Sequence, residues 1–438
     1  MNNIYKLTLL CLLSVSVGFT QEKLTKEEAI NLALENNYGI KIVYNEIKIA
    51  KNNKSLLNSG YLPTLTSKAG STFNRDNTDA KFSNGEISVL KNAKSSRFNA
   101  SVSLNYTLFD GLGRLYNYKQ LKEQYNLSEL QARETIENTI LQLFSIYYNV
   151  AQLSEKVLIL NQSLKISKDR LTRVNYQFDF GQNTKLAVLN AEVDVNNDSI
   201  QLINTTQLLA NAKRDLYVVL GKNEAPNFLV DTQVHFNITA TKNKLFEQVK
   251  NNNVTLLQIE KNIQISDFQL KANKSGYLPT IGLTSTYGWS KNNNNAASFL
   301  TQSTNTGLST GLNLTWNLFK GGKTRTQIQN AKINYETLQY LKQQTHLQIN
   351  RDFNNAWEDY KNKLFIHQTQ QKNVETNKRN FSRTEEQFKL GQITSIEFRQ
   401  AQVNLLNAQS NLNQAKYDAK NAELKLLQLT GDLLNTKF

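Results

Sequence analysis

The chain has 438 residues, a formal charge of +15 at pH 7 and a single cysteine, which excludes a disulfide framework. A hydrophobic content of 39% and a mean hydropathy of −0.50 are low for one thick core and suit thin helical walls, wet on much of their surface. The basic residues are scattered among Asn and Gln without a clustered patch, which fits solvated helix faces and no nucleic-acid partner.

Residues 1–20 read as a secretory signal: Lys6, an apolar run from Leu7 to Val17, then small or polar residues before Gln21. The run is too short to span a bilayer. Cleavage near Thr20 removes one charged side chain, Lys6, and lowers the formal charge from +15 to +14. Cys11 lies inside the run behind Leu10, which is not the small residue a lipoprotein site wants, so the mature chain is expected to be cysteine-free.

The mature part opens on Thr25 and Glu28 in capping-box spacing, ahead of a helix expected to run to about Ser59. Gly60 and Pro63 end it. The phrase Ser59-Gly60-Tyr61-Leu62-Pro63-Thr64 returns verbatim as Ser275-Gly276-Tyr277-Leu278-Pro279-Thr280, 216 positions later, in a chain with only three prolines. Duplication is the simple account.

After each proline the hydrophobic period changes to two. Phe98, Ala100, Val102, Leu104, Tyr106 and Leu108 alternate with polar residues, as do Leu308, Thr310, Leu312, Leu314, Trp316 and Leu318. Weaker partner strands precede them, Leu65 to Phe73 and Ile281 to Trp289. Each is about the 9–11 residues a tilted strand needs to cross a bilayer, although a half-exposed soluble sheet would alternate in the same way. The polar segments 74–97 and 291–305 read as exposed loops.

Gly111, Gly113, Gly321 and Gly322 mark the return to helix. Residues 112–177 form one uninterrupted helical pattern, on the order of 100 Å long at about 1.5 Å per residue. Along it Ile136, Leu143, Val150, Val157, Leu164, Leu171 and Phe178 recur every seventh residue. The second copy places His346, Phe353, Tyr360, His367, Val374, Phe381 and Phe388 at the same interval, 210 positions on. A sustained repeat of seven makes helices coil left-handedly around neighbours. The chain turns at Phe180-Gly181-Gln182 and Leu390-Gly391-Gln392. It resumes at Thr184 and Thr394, with a return seam of Leu186, Leu189, Val193, Ile200 and Ile203 expected in the first copy.

The resulting division is a signal at 1–20, a first repeat at 21–221, a linker at 222–241, a second repeat at 242–431 and a tail at 432–438. Strands are expected at about 64–109 and 280–319, and long helical hairpins at about 112–220 and 322–430. Four strands cannot close, and hydrocarbon does not tolerate an open edge. Three chains would supply twelve strands, an even number suited to a barrel.

No catalytic constellation is visible. His346 and His367, three heptads apart, lie about 30 Å apart on a straight helix and cannot share a metal. Coiled-coil packing is their expected role. Gly321-Gly322-Lys323-Thr324 lacks the first glycine of a phosphate loop, Asn317 or Leu318 standing there. No enzyme activity and no cofactor are expected.

The order of helix, strand hairpin and long helical hairpin, repeated behind a signal, resembles the TolC family of outer membrane efflux and secretion channels. The resemblance is carried by Tyr61-Leu62-Pro63 and Tyr277-Leu278-Pro279, by Leu108-Phe109-Asp110-Gly111 and Leu318-Phe319-Lys320-Gly321, and by the two turns. It implies a mixed α and β membrane protein, a homotrimer whose 12-stranded β-barrel in outer membrane lipid is continuous with a helical periplasmic tunnel. It also implies an inner membrane pump, of RND or ABC type, reached through a periplasmic adaptor. The adaptor would contact the helical tips at Phe180, Gly181, Gln182, Thr184, Leu390, Gly391, Gln392 and Thr394. The family's constriction lies six and nine positions beyond the second tip glycine, which are Glu397 and Gln400 here, one acid where the family has two. An ordinary solvated helix glutamate is the other reading of Glu397, and a turn needing positive φ the other reading of each glycine. The rival from another class is a trimeric coiled-coil stalk or adhesin anchored in the outer membrane, although adhesins place one anchor at a chain end.

Overall fold

The computed structural model describes residues 23–223 and 228–436. The expected signal with its Cys11, and Pro226 of the linker, lie outside the described residues. The chain divides into two compact units. One comprises residues up to 45, 131–257 and 345 onward, the other residues 46–130 and 258–344, so each draws on both sequence copies.

The elements in chain order are β1 (Lys23–Leu24), α1 (Lys26–Asn36), α2 (Tyr38–Asn53), β2 (Thr64–Lys81), β3 (Ile87–Phe109), α3 (Gly113–Asp179) and α4 (Lys185–Val219). The second series is β4 (Leu229–Val230), α5 (Lys242–Asn252), α6 (Val254–Lys274), β5 (Thr280–Asn293), β6 (Gln302–Thr315), α7 (Lys323–Lys389) and α8 (Ser395–Thr430). Both long helices have 67 residues. Among the described residues no helix is long and apolar enough to cross a membrane.

The single helix expected to reach Ser59 is instead two helices broken at Asn37, followed by a 3-10 turn at Leu56–Asn58. Asn37 leaves helical geometry (ψ 125°), its side-chain oxygen accepts from the Ile40 N–H, and its amide donates to the Val219 carbonyl at 2.9 Å. The second copy repeats the device. Asn253 (ψ 121°) caps α6 through the N–H groups of Thr255 and Leu256 and donates to the Leu429 carbonyl at 3.0 Å. The partner helices end at Gly221 and Gly431, both at positive φ, where an added Cβ would stand 2.5 and 2.6 Å from the carbonyl oxygens of Asn36 and Asn252. Each break is therefore a docking point, where a side-chain cap and a glycine let two helix ends meet.

The core of the first unit is aromatic: Phe144, Tyr147, Tyr148 and Tyr417 are buried with Leu216 and Leu424. Burial pushes the Tyr147 phenol up to about 12. Its hydroxyl donates to the Leu24 carbonyl and accepts from the Asp231 N–H, both at 2.8 Å. That bond fastens the linker, where β4 pairs in parallel with β1. Lysine ammoniums satisfy its irregular carbonyls, Lys213 on Phe228, Lys26 on Gln233 and Lys420 on His235, each at 2.7 Å. Glu423 accepts from the backbone N–H groups of Asn237 and Ile238 and from Lys420.

The heptad expectation holds unevenly. Leu143, Val150, Phe353, Tyr360, His367, Phe381 and Phe388 are buried, and the His367 ring lies 5.6 Å from that of Phe236. His346 is exposed, against expectation. So is the return seam: Leu186, Val193 and Ile200 are 67%, 56% and 57% exposed, and Leu189 and Ile203 are exposed too. The face of α4 that meets the rest of its own chain runs through Ala191, Asp198, Thr205, Ala212 and Val219, also at intervals of seven. Small and polar residues fill the seam because it is tight and, near the turn, charged. The larger aliphatic side chains are left facing outward.

In the second unit the strands form one antiparallel sheet in the order β2-β3-β5-β6. β2 and β3 have 18 and 23 residues and β5 and β6 have 14 each, longer than expected. Pairing continues through the polar sequence read as loop, from Asn74 opposite Ser95 to Lys81 opposite Ile87. Low β-propensity is overridden by a cross-strand ladder that is interrupted once, by a register shift between Asp76 and Thr78. Strand β6 stops at Thr315, so Trp316 to Phe319 lie beyond it, and the Trp316 indole donates to the Tyr277 carbonyl. The register sorts the faces: Val102, Tyr287 and Leu308 stand side by side, as do Tyr106, Leu283 and Leu312. The other face carries Ser103, Thr286 and Ser309, then Asn99, Ser290 and Asn305, with Lys68 and Arg97 on its β2 and β3 rows. Leu65, Phe73, Leu308 and Leu312 of the apolar face are exposed.

Replacing Asn253 by Ala removes a cap and leaves the Leu429 carbonyl unpaired. Unfolding of the purified protein should show a loss of about 1–2 kcal/mol, and Asn37→Ala should give a similar loss.

Candidate functional site at the helical tips

Both helical hairpins of the first unit turn by the same local chemistry. At the first turn the Gly181 N–H donates to Phe178 and the Gln182 N–H reaches back to Gln177 at 2.7 Å, with Gly181 at φ 72°. At the second, Gly391 donates to Phe388 and Gln392 to Gln387 at 2.9 Å, again with φ 72°. These paired bonds close a helix end only if one residue adopts the left-handed conformation, which glycine does at low cost. The next helices start on threonine. The Thr184 hydroxyl accepts from the Ala187 N–H, and Thr394 forms a full capping box with Glu397.

That box decides what Glu397 touches. Its carboxylate accepts from the Thr394 N–H and hydroxyl, both at 2.8 Å, while the Thr394 hydroxyl accepts from the Glu397 N–H. The backbone bond first, then the hydroxyl, hold the carboxyl below its usual range. Gln400 lies on the exposed face of α8, its amide on the Asn404 side chain. The eight tip residues, Phe180, Gly181, Gln182, Thr184, Leu390, Gly391, Gln392 and Thr394, are exposed. The two tips meet where Arg173 donates to the Lys389 carbonyl at 3.1 Å. A cleft of about 820 Å³ between them is lined by Thr184, Ala187, Asn190, Gly391, Glu397 and Gln400, among others.

Behind the tips lies a buried polar cluster that reaches back about four turns along α3 and α4. Arg399 of α8 grips both oxygens of Asp198 of α4 at 2.8 Å and also donates to Ser167 of α3. Arg170 of α3 pairs with Asp194 and donates to the Ser395 carbonyl. The Gln402 amide donates to Ser163 and Ser167. Burial pushes the Asp198 carboxyl up, but the Arg399 and Ser167 hydrogen bonds and the Arg399 and Arg170 charges outweigh it and hold it below the usual range. Next to this cluster Phe388 stacks on Phe398 with ring centroids 4.6 Å apart. Charge pairing thus joins the first hairpin to the second, and aromatic packing joins the two arms of the second.

The outer membrane efflux protein family model matches residues 29–222 and 245–432, nearly the whole described chain. The chain belongs to that family. It is similar to the outer membrane efflux protein BepC of Brucella suis, 20% identical over 404 residues that cover 92% of this chain and 84% of BepC. It is also 23% identical to TolC of Salmonella enteritidis over 364 residues, 81% of this chain and 73% of that one. Among solved structures, the Campylobacter jejuni CmeC outer membrane channel superposes with a TM-score of 0.77 at 18% identity, covering 93% of this chain and 86% of that chain. This likeness bears out the mixed helix and strand fold.

For a member of this family, the residues that sequence reasoning missed at the tips are Arg170, Asp194, Asp198 and Arg399. No local pattern marks them, since Arg399 and Asp198 are 201 residues apart. The Thr394–Glu397 capping box was missed as well, although its three-residue spacing is a local signal.

Two outcomes are expected. Arg399→Ala leaves a buried carboxylate without its partner and should cost about 3 kcal/mol or more, read as faster amide exchange across residues 391–403. An Arg399→Leu and Asp198→Leu pair should recover much of that loss. Because the Asp198 carboxyl is held low, its contribution is complete above about pH 4 and fades as pH falls further. Protection of the tip amides, relative to their intrinsic exchange at each pH, should therefore fall on acidification in wild type and change less in the paired variant.

Proposed function

We propose that the protein is the outer membrane channel of a tripartite efflux or type I secretion system, a passive duct rather than an enzyme. It would receive substrates from an inner membrane pump, of RND or ABC type, through a periplasmic adaptor. The observation that carries this reading is the sheet β2-β3-β5-β6, with one apolar face exposed and its two edge strands unpaired. Hydrocarbon would cover that face but cannot satisfy the edge N–H and C=O groups. A homotrimer pairs β6 of one chain with β2 of the next and closes twelve strands. The Ser, Thr and Asn face then lines the water path and the Leu, Val, Tyr and Trp face meets lipid.

The exposed Leu186, Val193 and Ile200 stripe supports the same assembly, since its heptad spacing suits a helix of another chain. The helices then form the wall of a periplasmic tunnel. We assign Phe180, Gly181, Gln182, Thr184, Leu390, Gly391, Gln392 and Thr394 to adaptor contact, because their turns present the apolar side chains of Phe180 and Leu390 to solvent. The duct is built from two repeats, 21–221 and 242–431, joined by a linker at 222–241. The stalk or adhesin alternative gains nothing from the family match.

The test is single-channel conductance in planar bilayers. The protein should give ohmic steps. Glu397→Gln keeps an acceptor for the capping box while removing the charge, so it should reduce cation preference if three Glu397 carboxylates ring the entrance. Steps with unchanged selectivity would retain the duct and reduce Glu397 to a cap. Absence of any conductance from folded trimers would count against the duct.

A further inference from the structure

The apolar face of the sheet ends abruptly. The ten steps along β5 from Ile281 to Lys291 rise roughly 25 Å along the membrane normal at a tilt near 40°. That is the height of the lipid-facing band of an outer membrane barrel. At its far end stand aromatic rings, Trp289 opposite Ala100 and then Phe98 edge-on to Phe73 with centroids 5.6 Å apart. The next rung holds Ser96 between Phe73 and Asn293. Beyond it β5 stops and β2 and β3 continue as a two-stranded ribbon.

The first rung of that ribbon on the same face is Arg75 directly opposite Lys94. Like charges facing across a strand pair destabilise it, because their Cβ atoms stand only about 5 Å apart. Both side chains are exposed, and no carboxylate among the described residues pairs with either. Asp76 alternates to the other face, opposite Ala93. Asp79 is four residues along and faces Val89, roughly 13 Å away. A neighbouring chain offers no remedy, since β6 contains no ionisable side chain and Lys291 is the only charged residue in residues 280–315. Lys291, opposite Phe98, lies four rungs lower, at the end of the apolar band.

We infer that Arg75 and Lys94 bind the phosphate of an outer-leaflet lipid headgroup. The inference rests on the apolar face meeting lipid. A phosphate there supplies the absent counter-charge, its arginine contact can be two-pronged, and the height matches the headgroup layer at the end of the apolar band. The aromatic rings below would pack against the acyl chains. The lipid would then fix the depth of the barrel in the membrane.

The test is native mass spectrometry of the full chain in detergent, titrated with lipid A and, separately, with phosphatidylcholine. Wild type should retain lipid A in preference to phosphatidylcholine. An Arg75→Ser and Lys94→Ser variant should lose roughly tenfold or more in lipid A affinity. The charge-conserving Arg75→Lys and Lys94→Arg pair should keep it, which separates charge loss from misfolding. Lys68→Ser, on the opposite face, should change affinity less than about twofold. Wild-type affinity in the double serine variant would overturn the proposal, as would displacement of the lipid by excess inorganic phosphate. Loss of binding in Lys68→Ser alone would instead place lipid on the other face and overturn the face assignment itself.

Discussion

The sheet β2-β3-β5-β6 presents apolar side chains on one face, Ser, Thr and Asn on the other, and unpaired backbone groups along both edges. Within one chain these features conflict. The apolar face favours hydrocarbon, while the edge N–H and C=O groups each cost several kcal/mol there unless bonded. Side-chain changes cannot remove the conflict, because the unsatisfied groups belong to the backbone. Only pairing with another strand does, so the proposed trimer follows from the sheet more directly than from any interface residue.

The helical unit meets a similar constraint with different chemistry. Helices α3 and α7, of 67 residues each, are too thin to bury one continuous core. They divide their surface into an inner seam and an outer one. The inner seam of α4 is built from Ala191, Asp198, Thr205 and Ala212 and is closed near the tip by the Arg399–Asp198 pair. The outer seam keeps Leu186, Val193 and Ile200 for other helices. A buried ion pair adds little net stability over an apolar pair of the same volume, yet losing one partner is costly. Such a pair fixes which hairpin docks on which, and at what register. The linker shows the same economy, its carbonyls taken by Lys26, Lys213 and Lys420 in place of a sheet.

Much of this was legible in the sequence. The repeated Gly60–Pro63 and Gly276–Pro279 phrases, the long heptad runs and the glycine turns are local or periodic signals, and the helices and turns they announce are present. Three features were not. Asn37 and Asn253 break helices inside apolar periodicity because each finds a carbonyl nearly two hundred residues away in the chain. The ladder through residues 74–81 and 87–95 forms in polar sequence because the partner strand, and not propensity, decides it. The return seam of α4 was assigned to its most apolar residues, whereas the chain buries the small and charged ones. In the first and third cases the deciding contact is non-local and periodicity carries no record of it, whereas the ladder is a hairpin between near neighbours whose polar composition hides it.

The most direct measurement is the mass of the particle extracted from outer membranes, with detergent subtracted, by light scattering or native mass spectrometry. The account predicts three chains per particle, with the sheet ladder extended from β6 of one chain to β2 of the next. A folded, membrane-inserted particle of one chain would contradict it, because its strand edges would then lie unpaired in hydrocarbon.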